Sequence, residues 1–407
     1  MTSLIPSQDY ASLWALIAAG TAAAIWLEQS YRWAARLSGP VVALLIAMVL
    51  TNTRVMPTTS PAYDFVGDWL VPLAIPLLLF RANLREIVRT GGRLFLVFHL
   101  SAFGTLLGTA LAVGMLRGHI PETDLIHAAG MMAASYIGGG VNFMAIKSSY
   151  HVPEYVAGPL IVADNFVMAG LFVMLLGLAA SRFVRARFPH PHTHEADAGA
   201  AGNLAAAHWQ RKGIGLLEVA KSFAFAFAVV AVAGLLRQVM PLLFPNAGTA
   251  GIGLTMLYTL CTNQFVLLTL VALLAATLFA KPLARINGPE EFGAYLLLTF
   301  LFTLGLPADL LSVLTQAPLF FVFCGVIALV NLAFTLVAGK LLRLNLEELL
   351  LAVNANLGGA PSAAAMAISA GWPRLVLPGI LVGIWGYVIG TPVGILVVEY
   401  LKSGGAK

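Results

Sequence analysis

The chain has 407 residues, 59% of them hydrophobic and only 10% charged, with a mean hydropathy of +0.89. Soluble domains carry about a quarter of their residues as charges, so a water-soluble fold is excluded, and apolar blocks of about twenty residues suit a ~30 Å hydrocarbon core. Lys and Arg number 23 against 18 Asp and Glu, which in a membrane protein marks basic cytoplasmic loops and not affinity for nucleic acid.

Stretches such as LIVADNFVMAGLFVMLLGLAA are apolar all round, so the spans are helices and not the alternating strands of a barrel. In chain order the blocks cover about residues 10–28, 38–54, 65–81, 92–117, 125–149, 154–182, 215–240, 248–262, 264–282, 291–311, 316–340, 345–371 and 374–401. The expectation is an all-α polytopic membrane protein with about 13 transmembrane helices. Twelve is the alternative, because only Thr262-Asn263-Gln264 separates the eighth block from the ninth. The N-terminus, MTSLIPSQDY, lacks a basic leader region, so the first block reads as a retained helix. Cys261 and Cys324 sit in apolar segments and suggest no disulfide or thiolate metal site.

Charge favours thirteen. With the N-terminus outside, thirteen spans gather Arg32, Arg36, Arg81, Arg85, Arg89, Arg93, Lys147, Arg237, Lys281, Arg285, Lys340, Arg343, Lys402 and Lys407 on the cytoplasmic side. The discordant stretch is the polar linker 183–214, with Arg185, Arg187, Arg211 and Lys212. Its His190, His192 and His194, followed by Glu195 and Asp197, permit a surface metal site, but a solvated linker is the simpler reading.

An internal repeat points the same way. SYIGGGVNFMAI (135–146) resembles ANLGGAPSAAAMAI (355–368): the glycine pairs Gly138-Gly139 and Gly358-Gly359 are each followed by Met-Ala-Ile. RANL from Arg81 echoes PADL from Pro307, and GPLIV from Gly158 echoes PGILV from Pro378. With thirteen spans, related helices stand an odd number apart, which predicts inverted repeats.

Both glycine clusters fall near the bilayer midplane by helical rise, where unwinding frees backbone groups that need partners. Half-helix ends there can face a substrate or a cation. The candidate binding residues are Ser135, Tyr136, Gly138, Gly139, Gly140, Asn142, Asn354, Asn356, Gly358, Gly359, Pro361 and Ser362. Close packing of small residues is the competing explanation. Asp164, with Asn165 beside it, lies about ten residues into the helix after the first cluster. A carboxylate at that depth is costly unless it binds a cation or neutralises, so the pair is the candidate ion or proton coupling site, and a structural carboxylate is the alternative. His99, His127 and Lys221 read as structural or snorkelling groups, Arg81 and Asp309 as boundary residues, and Asn331 as a further possible lining residue.

These motifs, SYIGGGVNF, NANLGGAPSAAAMA and Asp164-Asn165, resemble the YjcL-like family of bacterial and plastid membrane proteins of unknown function, over essentially the whole chain. That family is similar to the larger group of sodium/proton antiporters and bile-acid sodium symporters. The resemblance implies two crossed broken helices, crossing at Ile137 to Val141 and Leu357 to Pro361, in a core of helices 4–6 (91–182) and 11–13 (316–401). Scaffold helices 1–3 (10–82) and 8–10 (248–311), a connecting helix 7 (215–240), a homodimer and elevator-like movement are implied too. The chain departs from the antiporters in carrying Asn165 second in the acidic pair and no Lys or Arg within its last apolar helix, where Trp385 stands.

No metal-hydrolase, nucleophile-elbow or phosphate-loop signature is present, so no enzyme chemistry and no cofactor are expected. The function expected is secondary transport of a small polar organic solute coupled to Na+ or H+, in the bacterial inner membrane. A monovalent cation/proton antiporter is the alternative, and a non-transporting scaffold or receptor the second.

Overall fold

The computed structural model describes residues 3–31, 34, 39–194, 213–243, 252–306 and 310–404, and these are helical throughout, without strands. The first half contains α1 (Tyr10–Ser30), α2 (Gly39–Asn52), α3 (Pro61–Phe65), a π turn (Val66–Leu70), α4 (Val71–Leu78), α5 (Leu84–Leu116), α6 (Glu122–Gly138), α7 (Gly140–Ser149), α8 (Glu154–Ala180) and α9 (Arg182–Arg185). The second contains α10 (Leu216–Leu243), α11 (Ile252–Thr262), α12 (Gln264–Leu278), α13 (Ala280–Leu283), α14 (Pro289–Gly305), α15 (Leu310–Leu341), α16 (Leu346–Ser369) and α17 (Val376–Lys402). Local chemistry sets many boundaries. Asp9 caps α1 by accepting from the Ser12 N–H, and Asn263 caps α12 by accepting from Phe265 and Val266. Gly92, at φ 50 and ψ −129, bends α5 where the apolar block begins.

Among the described residues seven helices, α16 included, are long and apolar enough to cross a membrane, and α11 with α12, bent by 66° at the break, makes a further candidate. The two glycine-broken segments do not cross, and this corrects the sequence reading. His127 on α6 stacks on Tyr150 at the far end of α7, with ring centroids 5.9 Å apart. At ~1.5 Å per residue a through-going path would separate them by more than 30 Å. Deeper in, a Cβ on Gly394 would meet both the Gly130 oxygen (2.7 Å) and Ile146 Cδ1 (3.0 Å), so α6 and α7 lie side by side. They form a hairpin with its tip at Gly139. The same holds for α16: Ser362 donates to Asn354, eight residues earlier, at 2.9 Å, and Leu351 and Ala363 both flank Gly379.

The hairpins enter from opposite ends of the bundle. At one end, α16 starts beside Arg93, which pairs with Glu348 (3.4 Å), and beside the linker, where the Leu346 N–H donates to the Pro189 oxygen. At the other end, Tyr150 donates to Glu399 near the end of α17. Of the unbroken helices long and apolar enough to cross, α1, α5 and α8 belong to the first half and α10, α15 and α17 to the second. Helix α11 is not a separate span: Arg237, late in α10, bonds Gln264 just beyond it, so α12 starts at the end where α10 finishes. Lys147, Arg237 and Lys402 therefore lie at the end opposite Arg81, Arg93 and Arg343, not with them. Arg185 and Arg187 join Arg93, so the described start of the linker is no longer discordant. Arg32, Arg36, Pro307 to Asp309, Lys407 and most of the linker, including Glu195, Asp197, Arg211 and Lys212, lie outside the described residues.

Small residues bring the long helices together. Gly104 and Gly108 on α5 approach the Asn331 and Ile327 backbone of the antiparallel α15, leaving no room for a side chain. Asn331 is fully buried there, accepting from the Ser101 hydroxyl and donating to the Ser101 oxygen and the Thr105 hydroxyl. It fastens two helices and does not line a cavity.

Candidate functional site

The two hairpin tips share one backbone conformation. Gly139 has φ 74 and ψ −176, and Gly359 has φ 71 and ψ −169, a region closed to side chains bearing a Cβ. Only the second glycine of each pair leaves the helix: Gly138 ends α6, Gly140 begins α7, and Gly358 is still in the forward arm of α16. The return arms then start afresh, with Pro361 near the start of one, where its missing N–H is harmless. Three residues after each tip stands a polar side chain, Asn142 or Ser362. Asn142 donates to the Gly138 oxygen (2.7 Å) and accepts from the Thr391 N–H (3.1 Å) and hydroxyl (2.6 Å), tying the first hairpin to α17.

Helix α17 packs against both tips. Its glycines Gly379, Gly383, Gly386, Gly390 and Gly394 recur at helical spacing, and each sits against a hairpin arm or tip. Tyr387 stands between the tips: a Cβ on Gly139 would lie 3.5 Å from its ring, and one on Gly359 3.2 Å from its hydroxyl. Nearby, Trp385 donates to His99 Nε2 at 3.0 Å, so His99 Nδ1 carries the hydrogen and donates to the Phe95 oxygen at 2.8 Å. That histidine is a satisfied structural group. The glycine spacing was available in the sequence; the placement of Tyr387 against both tips was not.

Asp164 projects from α8 toward the first hairpin and is buried, 7% exposed. Its Oδ2 accepts from the Ser135 hydroxyl at 2.9 Å, and its Oδ1 has no hydrogen-bond partner. The Tyr136 hydroxyl stands against the carboxylate, with Cys324 beside it, outside strict hydrogen-bond geometry. Ser135, Gly139, Gly140, Asp164, Asn165, Gly358 and Ser362 line a cavity of about 980 Å³, walled also by Met168 and by Leu297 and Leu301 of α14.

The remaining predicted residues support this cavity without lining it. Tyr136, Asn142, Asn354 and Asn356 are buried behind the tips. Asn356 donates to the Phe98 oxygen on α5, and Asn354 accepts from Ser362 while its Nδ2 has no partner. Gly138 packs on Gly386, and Pro361 is exposed beside the second tip. Asn165 lines the cavity but directs its amide to the Ile161 oxygen at 2.8 Å. Among the described residues no cluster of His, Cys, Asp and Glu is placed to hold a metal ion.

The profile of the family described as "Protein of unknown function (DUF819)" matches residues 15–403. The chain belongs to this family. It is also 43% identical over 407 residues to the "Uncharacterized membrane protein YjcL" of Bacillus subtilis (strain 168), covering 99% of this chain and 100% of that one. The DUF819 match spans both hairpins, α8 and α17, so every residue assigned to the cavity lies inside the family region.

Proposed function

We propose that this DUF819 protein is a secondary transporter that moves a small polar organic solute across the bacterial plasma membrane, coupled to Na+ or H+ through Asp164. One observation carries the reading: two hairpins of matched backbone, entering from opposite ends, bring their tips to one cavity holding a buried carboxylate. One glycine-turned hairpin in each half, the two entering from opposite ends, supports an inverted repeat. Such a pair presents a similar site to either side of the membrane. The hairpins with α5, α8, α15 and α17 form the core that moves, elevator-like, against a scaffold of α1–α4, α10, α12 and α14, through which two copies pair. Kinship with the antiporter and bile-acid symporter group belongs to this reading, with hairpins in place of crossed helices. The end bearing Arg81, Arg93, Arg185 and Arg343 is cytoplasmic by the charge rule, which leaves both termini outside. No resident cofactor is needed.

Gradient-driven uptake into proteoliposomes tests the proposal. Wild-type protein accumulates a solute under an imposed Na+ or H+ gradient, and Asp164→Asn does not; full coupled uptake by the variant overturns the mechanism. The unpartnered Oδ1 of Asp164 also supports a cation/proton antiporter, which exchanges cations with no organic solute present. A scaffold or receptor predicts no flux that Asp164→Asn alters.

A further inference from the structure

Resting on the transporter reading, with coupling ion and solute alternating on Asp164 so that transport is an exchange, we propose that the solute is a zwitterion of amino-acid to dipeptide size, with its ammonium group on Asp164 and its carboxylate at the hairpin tips. The polar groups of the cavity carry this. Among its described lining residues Asp164 is the one charged side chain; Ser135 occupies its Oδ2, and its buried Oδ1 closes no strict hydrogen bond, although the Tyr136 hydroxyl stands against the carboxylate. A carboxylate oxygen that deep, 7% exposed, calls for a cation or a donor.

The tips supply hydrogen-bond donors. Helix α7 begins at Gly140, on the cavity wall, with no side chain capping its N-terminus, and the return arm of α16 begins just past Gly359. Each helix start offers a carboxylate its unpaired N–H groups; the match is one of donors and not of summed charge, because the forward arms end at the same tips with the opposite partial charge. A solute with only a carboxylate leaves Asp164 uncompensated, and one with only an amine leaves both helix starts facing apolar wall. A zwitterion satisfies both.

The spacing suits adjacent charges. Ser135 joins the two poles: its hydroxyl binds Asp164 at 2.9 Å and its carbonyl accepts the Gly139 N–H at 2.5 Å. The rest of the wall, including Ile161, Met168, Leu297 and Leu301, offers an apolar surface to a side chain. A volume of about 980 Å³ admits a dipeptide as well as a single amino acid.

Calorimetric titration of the purified protein with L-alanine, L-leucine, L-phenylalanine and L-alanyl-L-leucine, against isoamylamine, 4-methylpentanoate and leucinamide, tests the assignment. At least one zwitterion binds, and the analogues lacking either charge bind about ten-fold or more weakly. Asp164→Asn weakens the zwitterion by about ten- to a hundred-fold. Binding of none of the four zwitterions, or equal binding of 4-methylpentanoate and leucine, overturns the proposal. Both comparisons use wild-type protein and stand even where the variant misfolds. Gradient-driven uptake of a carboxylate lacking an amine sinks the zwitterion and keeps the transporter; absence of any coupled flux sinks the transporter itself.

Discussion

Gly139 and Gly359 occupy the same left-handed backbone region within a few degrees of each other, and both lie against the one ring of Tyr387. Two hairpins are thereby turned by the same device against a common wedge, and what disturbs one tip is felt by the residue that packs on the other.

Alanine at either glycine is costly. At φ near +70° a Cβ adds roughly 1–2 kcal/mol of strain, so Gly139→Ala and Gly359→Ala each lower the thermal midpoint in detergent. Gly140→Ala is the control, since a Cβ there meets nothing within 4 Å and its backbone is helical. A midpoint for Gly140→Ala as low as for its neighbour would show that space and not backbone sets the cost.

The hairpin path is open to labelling. In a background lacking Cys261 and Cys324, Glu122→Cys and Ser148→Cys react with an impermeant thiol reagent from the same side of the membrane, and Arg187→Cys from the other. Labelling of Ser148→Cys from the side opposite Glu122→Cys would mean that α6 and α7 cross after all.

Asn142 holds the first hairpin to α17. Asn142→Ala leaves the Gly138 oxygen and the Thr391 N–H without this partner, a loss of about 1–3 kcal/mol read as a lower unfolding midpoint. Asn142→Asp keeps the acceptor for Thr391 but sets a buried carboxylate against the Gly138 oxygen, and lowers the midpoint at least as far.

The hydrogen bonds that Ser12 gives Asp9 hold its carboxyl below the ordinary carboxylate value. A depressed folded value means stability present above the unfolded value and lost as pH falls through the folded one. The midpoint difference between wild type and Asp9→Ala therefore shrinks from pH 6 toward pH 3. A difference independent of pH would remove the carboxylate from the cap.

Much of the site was legible in residue types. The glycine pairs, Asp164 and the polar residues around them stand out because a bilayer penalises interrupted helices and deep carboxylates, and seven of those residues meet at one cavity. Asn331 was misread because depth and polarity are the same for a helix clasp and a cavity wall; its partners Ser101 and Thr105 lie far away in the chain.

Composition determined that this chain belongs in a membrane, and the order of its residues that it is helical, with two matched breaks and one deep carboxylate. Neither determined what the chain does after each break. An apolar stretch with a central glycine reads alike whether it continues or doubles back, because the glycine permits both. The choice is made by the close-packed glycine face of α17, onto which both arms of the first hairpin fold. Reversal there moved Lys147, Arg237 and Lys402 to the end opposite Arg81 and Arg93 and brought Arg185 and Arg187 to theirs, while Arg343 stayed with them. The basic linker at 183–214, discordant under thirteen spans, was the one sign of this in the sequence, and the hydrogen bond from Leu346 to Pro189 places its described start.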